Sequence, residues 1–340
     1  MKKSNLYEIE SYGADYSVEH VAMMYDRGDL IIPDFQRNYV WTLNQASRFI
    51  ESCIIGLPIP SMFLFKKKED STYLVVDGQQ RIQTIVYFKK GFFKDERTKF
   101  KLTNVAEEYE GCTYNDLSAE MRRRFDYAIL RMTIFQQTEP KEGMNSVYEV
   151  FSRLNTGGRK LTSHEVRNAI YRGSINGFLK KLNEDSNWRV LYGKKTPDIH
   201  MKDEELILRY LALKDGLSVY EPPMNEFLNR YMEEHLESDD IWFKSEKETF
   251  AKTASLIKSV FGKDAFKLRN TLNSALSDAV MVVFSKNLTR LEEINKVELN
   301  SRFRELKNNR DFLDAIESGT SQTKKVNTRI ELLSTKLLGR

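Results

Sequence analysis

Hydrophobic positions in the first half of the chain switch repeatedly between helical and strand spacing. Behind Ser17, a suitable N-cap, Val18, Val21, Ala22 and Tyr25 share one helical face that ends before Gly28. Residues 30–32 then read as an edge strand closed by Pro33. Thr42 and Gln45 make a capping box for a helix carrying Ala46, Phe49, Ile50, Cys53 and Ile54 on one face, with Gly56 as its terminator. Pro58 and Pro60 force an extended entry into a strand at 61–65, and residues 66–70 read as a lysine-rich hairpin tip. Leu74, Val75 and Val76 suit a strand buried on both faces. Asp77 and Gly78 break it, and a helix is predicted from Gln79, with Ile82, Ile85 and Val86 at helical spacing, Lys89 and Lys90 in its last turn and Gly91 after it.

Residues 95–124 are polar and read as irregular, a small subdomain or insertion, and 129–135 as a further strand. A helix from Met144 places Val147, Tyr148, Phe151 and Leu154 on one face and leads into a glycine turn. Thr162 and Glu165 form a second capping box ahead of Val166, Ala169 and Ile170. Beyond about Lys195 strand signals disappear, and residues 204–213, 224–236, 244–261, 271–284, 297–307 and 327–338 read as amphipathic helices. The expected fold class is α+β: a domain over 1–195, then an all-α lobe over 196–340.

With 41% hydrophobic and 30% charged residues, the 340-residue chain has an ordinary globular composition. Its first residues lack the apolar core of a signal peptide, and no apolar run approaches bilayer length, so the expectation is a cytoplasmic protein without a membrane partner. The two cysteines, Cys53 and Cys112, support neither a disulfide framework nor a zinc site. A net charge of +4 does not by itself indicate nucleic acid, and local clusters such as Arg122 to Arg124 read equally as solvated faces.

The candidate chemistry lies in the turn. A helix starting directly off a buried strand points unpaired N–H groups over the sheet edge, which makes an anion site. Gly78 would let a phosphate approach the backbone, Arg81 would add a two-pronged contact, and Gln79 and Gln80 supply neutral donors and acceptors. A carboxylate beside a phosphate is repelled unless a cation lies between them, so Asp77 suits holding a hydrated Mg²⁺ or orienting a water. The plainer alternative makes Asp77 the N-cap and Arg81 a surface ion-pair partner. Gln36, Arg37, Tyr39 and Trp41 crowd a segment that reads as a binding loop or as a lid packed on the core.

Four segments in order, IPDFQRNYVW (32–41), GLPIP (56–60), VVDGQQR (75–81) and FSRLNTGGRKLTSHEVRNA (151–169), resemble the ParB-like domain of the GmrS half of GmrSD type IV restriction systems. Related domains occur in the phage-defence proteins SspE and BrxU. The resemblance implies a ParB/sulfiredoxin-like first domain whose strand-to-helix turn binds nucleotide phosphates. It carries a catalytic role onto Asp77, Gln79 and Gln80, with Asp77 the Mg²⁺ ligand. Nucleotide binding falls to Gly78, Arg81, Gln36 and Arg37, while Arg153, Asn155 and Glu165 close the other side of the pocket. For Glu165 the capping box is already a full structural account. The restriction relatives bring an HNH-type nuclease, whereas His20, His164, His200 and His235 are scattered here without the paired arrangement that site needs. A separate nuclease subunit is therefore an expected partner.

The resulting expectation is a Mg²⁺-dependent nucleoside triphosphatase of a bacterial anti-phage restriction system, sensing or regulating DNA cleavage, with DNA and further copies of itself as candidate partners. Two other readings stay open: a nucleotide-gated clamp without useful catalysis, and a ParB-like DNA nickase.

Overall fold

A mixed five-stranded sheet organises residues 1–160, one of two compact units; the other is 161–340. The computed structural model describes residues 8–32, 39–67, 72–139, 145–154 and 162–339. The strands are β1 (Glu8–Ser17), β2 (Leu30–Ile31), β3 (Met62–Lys66), β4 (Tyr73–Asp77) and β5 (Ile129–Glu139), in the order β1-β5-β3-β4-β2. β5 runs antiparallel to β1 and parallel to β3, and β4 runs antiparallel to β3 and parallel to β2. Met62, Leu64, Leu74, Val75, Met132 and Ile134 are fully buried in this sheet, each contributing on the order of 1.5–3 kcal/mol by leaving water.

Ser17 caps α1 (Val18–Arg27) by accepting from the His20 amide, and Thr42 and Gln45 close the capping box of α2 (Leu43–Ile55). α3 (Gln79–Lys90) packs beside α1 and α2, and Gly91 ends it in the left-handed region. Residues 95–124 are not an appended insertion. Phe100, Leu102 and Leu117 are buried, and Phe88 meets Phe100 and Phe125 edge to face at 5.2 and 5.4 Å. The segment ends in α4 (Ala119–Asp126), whose Asp126 pairs with Lys89 at 2.8 Å. α5 (Asn145–Leu154) follows β5. Burial pushes the Cys53 thiol up to about 12, and both cysteines are free.

The second unit is helical: α6 (Ser163–Ile170), α7 (Ser174–Asn183), α8 (Ser186–Tyr192), α9 (Lys202–Gly216), α10 (Met224–Glu234), α11 (Asp240–Phe261), α12 (Ser274–Lys286), α13 (Leu288–Glu293), α14 (Lys296–Leu306), α15 (Arg310–Glu317) and α16 (Thr323–Leu338). Its division from the first falls at 160/161, not at 195. The buried faces of α7 and α8, with Phe178, Leu179, Trp188 and Leu191, pack on α9 and α11. A strand pair unseen in the sequence, β6 (Lys267–Leu268) with β7 (Thr271–Leu272), precedes α12. The helix predicted from 271 accordingly begins at Ser274, capped by Asn273, whose side chain accepts from the Leu276 amide at 2.8 Å.

Two charged seams cross this interior. Asp278, buried on α12, accepts from Arg209 Nε and from Arg329 Nη2, each at 3.0 Å. On α6 and α9, His164 Nε2 and Glu204 Oε2 face each other at 3.9 Å, both buried and neither atom hydrogen-bonded among the described residues. Burial, aided by Arg167, holds His164 well below the usual imidazole range. Burial, then Asp203, raises Glu204 to about 7. Among the described residues no helix is long and apolar enough to cross a membrane.

Candidate functional site

β4 delivers the turn. Leu74, Val75 and Val76 are buried, Asp77 is the last strand residue, and Gly78 is the N-cap of α3 at φ +103°. Among the described residues no side chain caps this amino end, and Gly78, not Asp77, is the N-cap. Its Oδ2 accepts instead from Arg81 Nη2 at 2.9 Å, one turn along α3. Arg81 Nη1 donates to the Pro60 carbonyl at the entrance to β3. The pair is unequal in exposure: the Asp77 side chain is 53% exposed, that of Arg81 only 13%. Burial lowers the Arg81 pKa, with Asp77 opposing. Arg81 is therefore no surface partner but a half-buried strut from helix to strand ends, and both its terminal nitrogens are engaged.

Gly78 is explained by packing. An added Cβ would lie 2.4 Å from Met62 Cγ, and Met62 is fully buried on β3. Positive φ and this contact together demand glycine whether or not a phosphate approaches the backbone.

The two glutamines part company. Gln80 Oε1 accepts from the backbone amides of Val40 and Trp41 at 3.0 and 3.3 Å. Tyr39 fastens the same segment. Its hydroxyl lies 2.6 Å from Thr84 Oγ1, which donates to the Gln80 carbonyl, and its ring stands edge-on to Tyr87 and Phe93. Burial pushes the Tyr39 phenol up to about 12. Trp41 packs on Phe49, so Tyr39 and Trp41 lie half-buried against the core while Val40 between them is exposed. By contrast Gln79 Oε1 is buried without a hydrogen-bond partner among the described residues, as is Gln83 Oε1 one turn further on. A buried polar atom left unpaired in a helix first turn is what a bound ligand or water satisfies. Gln83 escaped the sequence reading, although a glutamine between Ile82 and Ile85 on a buried helix was the signal available.

Of the other expected residues, two are described in their own surroundings. Arg153, on α5, is exposed and pairs with Glu149 at 2.7 Å. Glu165 lies in the helical unit, where its Oε2 accepts from the Thr162 amide at 2.6 Å to complete the α6 capping box and its Oε1 is 3.9 Å from His200 Nδ1. Gln36, Arg37 and Asn155, with the glycine turn and the 68–70 hairpin tip, lie outside the described residues. Among the described residues no three His, Cys, Asp or Glu side chains converge as a metal site. Asp77 Oδ1, without a partner among those residues, fits the single-carboxylate share of a Mg²⁺ that takes its other ligands from phosphates and water.

Among curated proteins none matches the chain. A solved structure of a Pnob8-like ParB-N domain in its C2221 form is similar at 12% identity, covering 97% of this chain and 100% of that one, with a TM-score of 0.25. The family model described as GmrSD restriction endonuclease, N-terminal domain, matches residues 18–172, from the start of α1 to just past α6. Residues 18–172 therefore form a member of the GmrSD N-terminal domain family.

Proposed function

We propose that this domain binds a nucleoside triphosphate at the Asp77–Arg81 turn, hydrolyses it slowly, and serves a bacterial restriction or anti-phage system through a DNA or nuclease partner. The observation that carries the reading is Gln79 Oε1, buried and, among the described residues, unpaired in the first turn of a helix whose amino end has no side-chain cap there. That end presents N–H groups to phosphate oxygens, and Gln79 stands where an amide can orient the attacking water. Gln80, tied to residues 40 and 41, is assigned to anchoring rather than catalysis. Arg81 contributes positive field from its fixed position and orients Asp77. Bound beside Asp77 Oδ1, Mg²⁺ would supply charge neutralisation at the phosphates.

Phosphate release from ATP, GTP, CTP and UTP with Mg²⁺, with and without plain and modified DNA, tests this. Asp77→Ala is expected to abolish turnover and Gln79→Ala to lower it by about 10²-fold, with calorimetric nucleotide binding retained in the second. Equal hydrolysis by parent and Asp77→Ala would remove the turn as the site. Binding without release would favour the nucleotide-gated clamp, a reading supported by Arg81 already occupying one Asp77 oxygen.

A further inference from the structure

We propose that a cleft of about 490 Å³ in the helical unit is a ligand site for a small phosphate-bearing anion, formed wholly by residues of 161–340 and independent of the turn at Gly78. Its volume falls within the range of about 300–1,000 Å³ usual for small-molecule sites. Ser163, Lys202, Glu205, Arg209 and Ser274 bring the polar groups, and Leu206 and Leu272 supply apolar wall.

The charge balance points to an anion. Arg209 and Arg329 share one buried carboxylate, Asp278, and Arg329 is itself fully buried. Lys202 has no ion-pair partner among the described residues, and Glu205 is the only carboxylate among the residues named as lining the cleft. The exposed Lys202 and the Arg209 guanidinium thus bring positive field to the mouth of the cleft, which favours an anion there. Arg209 uses Nε and Nη2 on Asp278, leaving Nη1 without a partner among the described residues.

The donors suit phosphate better than a carboxylate. The hydroxyls of Ser163 and Ser274 have no hydrogen-bond partner among the described residues, whereas Thr162 and Tyr192, also on the wall, direct theirs to the His200 carbonyl and to Asp198. Guanidinium, ammonium and two hydroxyls approach from three helices, α6, α9 and α12, whose first residues are Ser163, Lys202 and Ser274. Donors converging from three directions match three terminal oxygens, not two. The apolar wall and remaining volume leave room for the group that carries the phosphate.

The test is calorimetry on the full chain with inorganic phosphate and with ribose 5-phosphate. Saturable binding is expected, weakened about ten-fold in Lys202→Gln. Ser274→Asp is expected to weaken it at least as much while keeping or raising the melting temperature, since a carboxylate in a helix first turn is favourable but repels the ligand. Arg81→Gln should leave this binding intact. Tighter binding of ribose 5-phosphate assigns the site to a phosphomonoester, and equal binding to the free ion; both support the proposal. Absence of saturable binding, full affinity in both cleft variants, or loss in Arg81→Gln alone would overturn it.

Discussion

Gly78 answers two demands with one missing atom. Its φ of +103° is strained for any L side chain, and a Cβ would meet Met62 at 2.4 Å. Gly78→Ala is therefore expected to destabilise the first unit by roughly 2–4 kcal/mol, read as a lower denaturant midpoint. A loss under about 0.5 kcal/mol would mean that Met62 moves aside at little cost. The glycine was legible because it interrupts an apolar strand just before helical spacing begins. Its reason was not, because Met62 is brought beneath it only by the pairing of β3 with β4. The same limit applies to Arg81: sequence spacing shows that it can reach Asp77, but not that the Pro60 carbonyl holds its other nitrogen.

α3 serves as core element and as scaffold for the segment ending at Trp41. The Gln80 amide oxygen and Thr84 hold residues 39–41 against it. Gln80→Ala should speed hydrogen exchange at the Val40 and Trp41 amides at least ten-fold, whereas Gln79→Ala should not. Equal protection in both variants would show that ring packing of Tyr39 and Trp41 suffices. Helices with explicit caps were the most legible elements: Ser17, the Thr42–Gln45 box and the Thr162–Glu165 box all stand where the sequence placed them. β1 was illegible because none of Glu8–Ser17 is buried and only Ala14, Tyr16 and Ser17, at its end, are half-buried, so the alternation by which strands are recognised is faint. α7 and α8 went unassigned for another reason: their apolar faces are clear, but which unit receives them depends on α9 and α11.

At the scale of the whole molecule, pH acts on the helical unit through two buried groups of opposite sense. Glu204, raised to about 7, contributes most below the ordinary carboxylate range, and that contribution is lost as pH rises through 7. His164, held low, contributes fully above the usual imidazole value, and this is lost as pH falls below it. Asp203 and Arg167 add to these shifts, and Lys180 opposes that of Glu204. Glu204→Gln should therefore stabilise the chain at pH 8, by up to about 3 kcal/mol, and by only about 1 kcal/mol at pH 5. Melting curves of both proteins across that range decide it, and a constant difference would show that Glu204 stays ionised throughout. The sheet carries a different consequence, one of time. β3 has β4 on one edge soon after it is made, but its other edge waits for β5, and β1 waits longer still for the same partner. At ordinary rates of synthesis the interval between residues 66 and 139 is roughly 4–15 s. For those seconds an apolar strand reading MFLFK keeps one edge unpaired at the ribosome, open to pairing with another chain until β5 arrives.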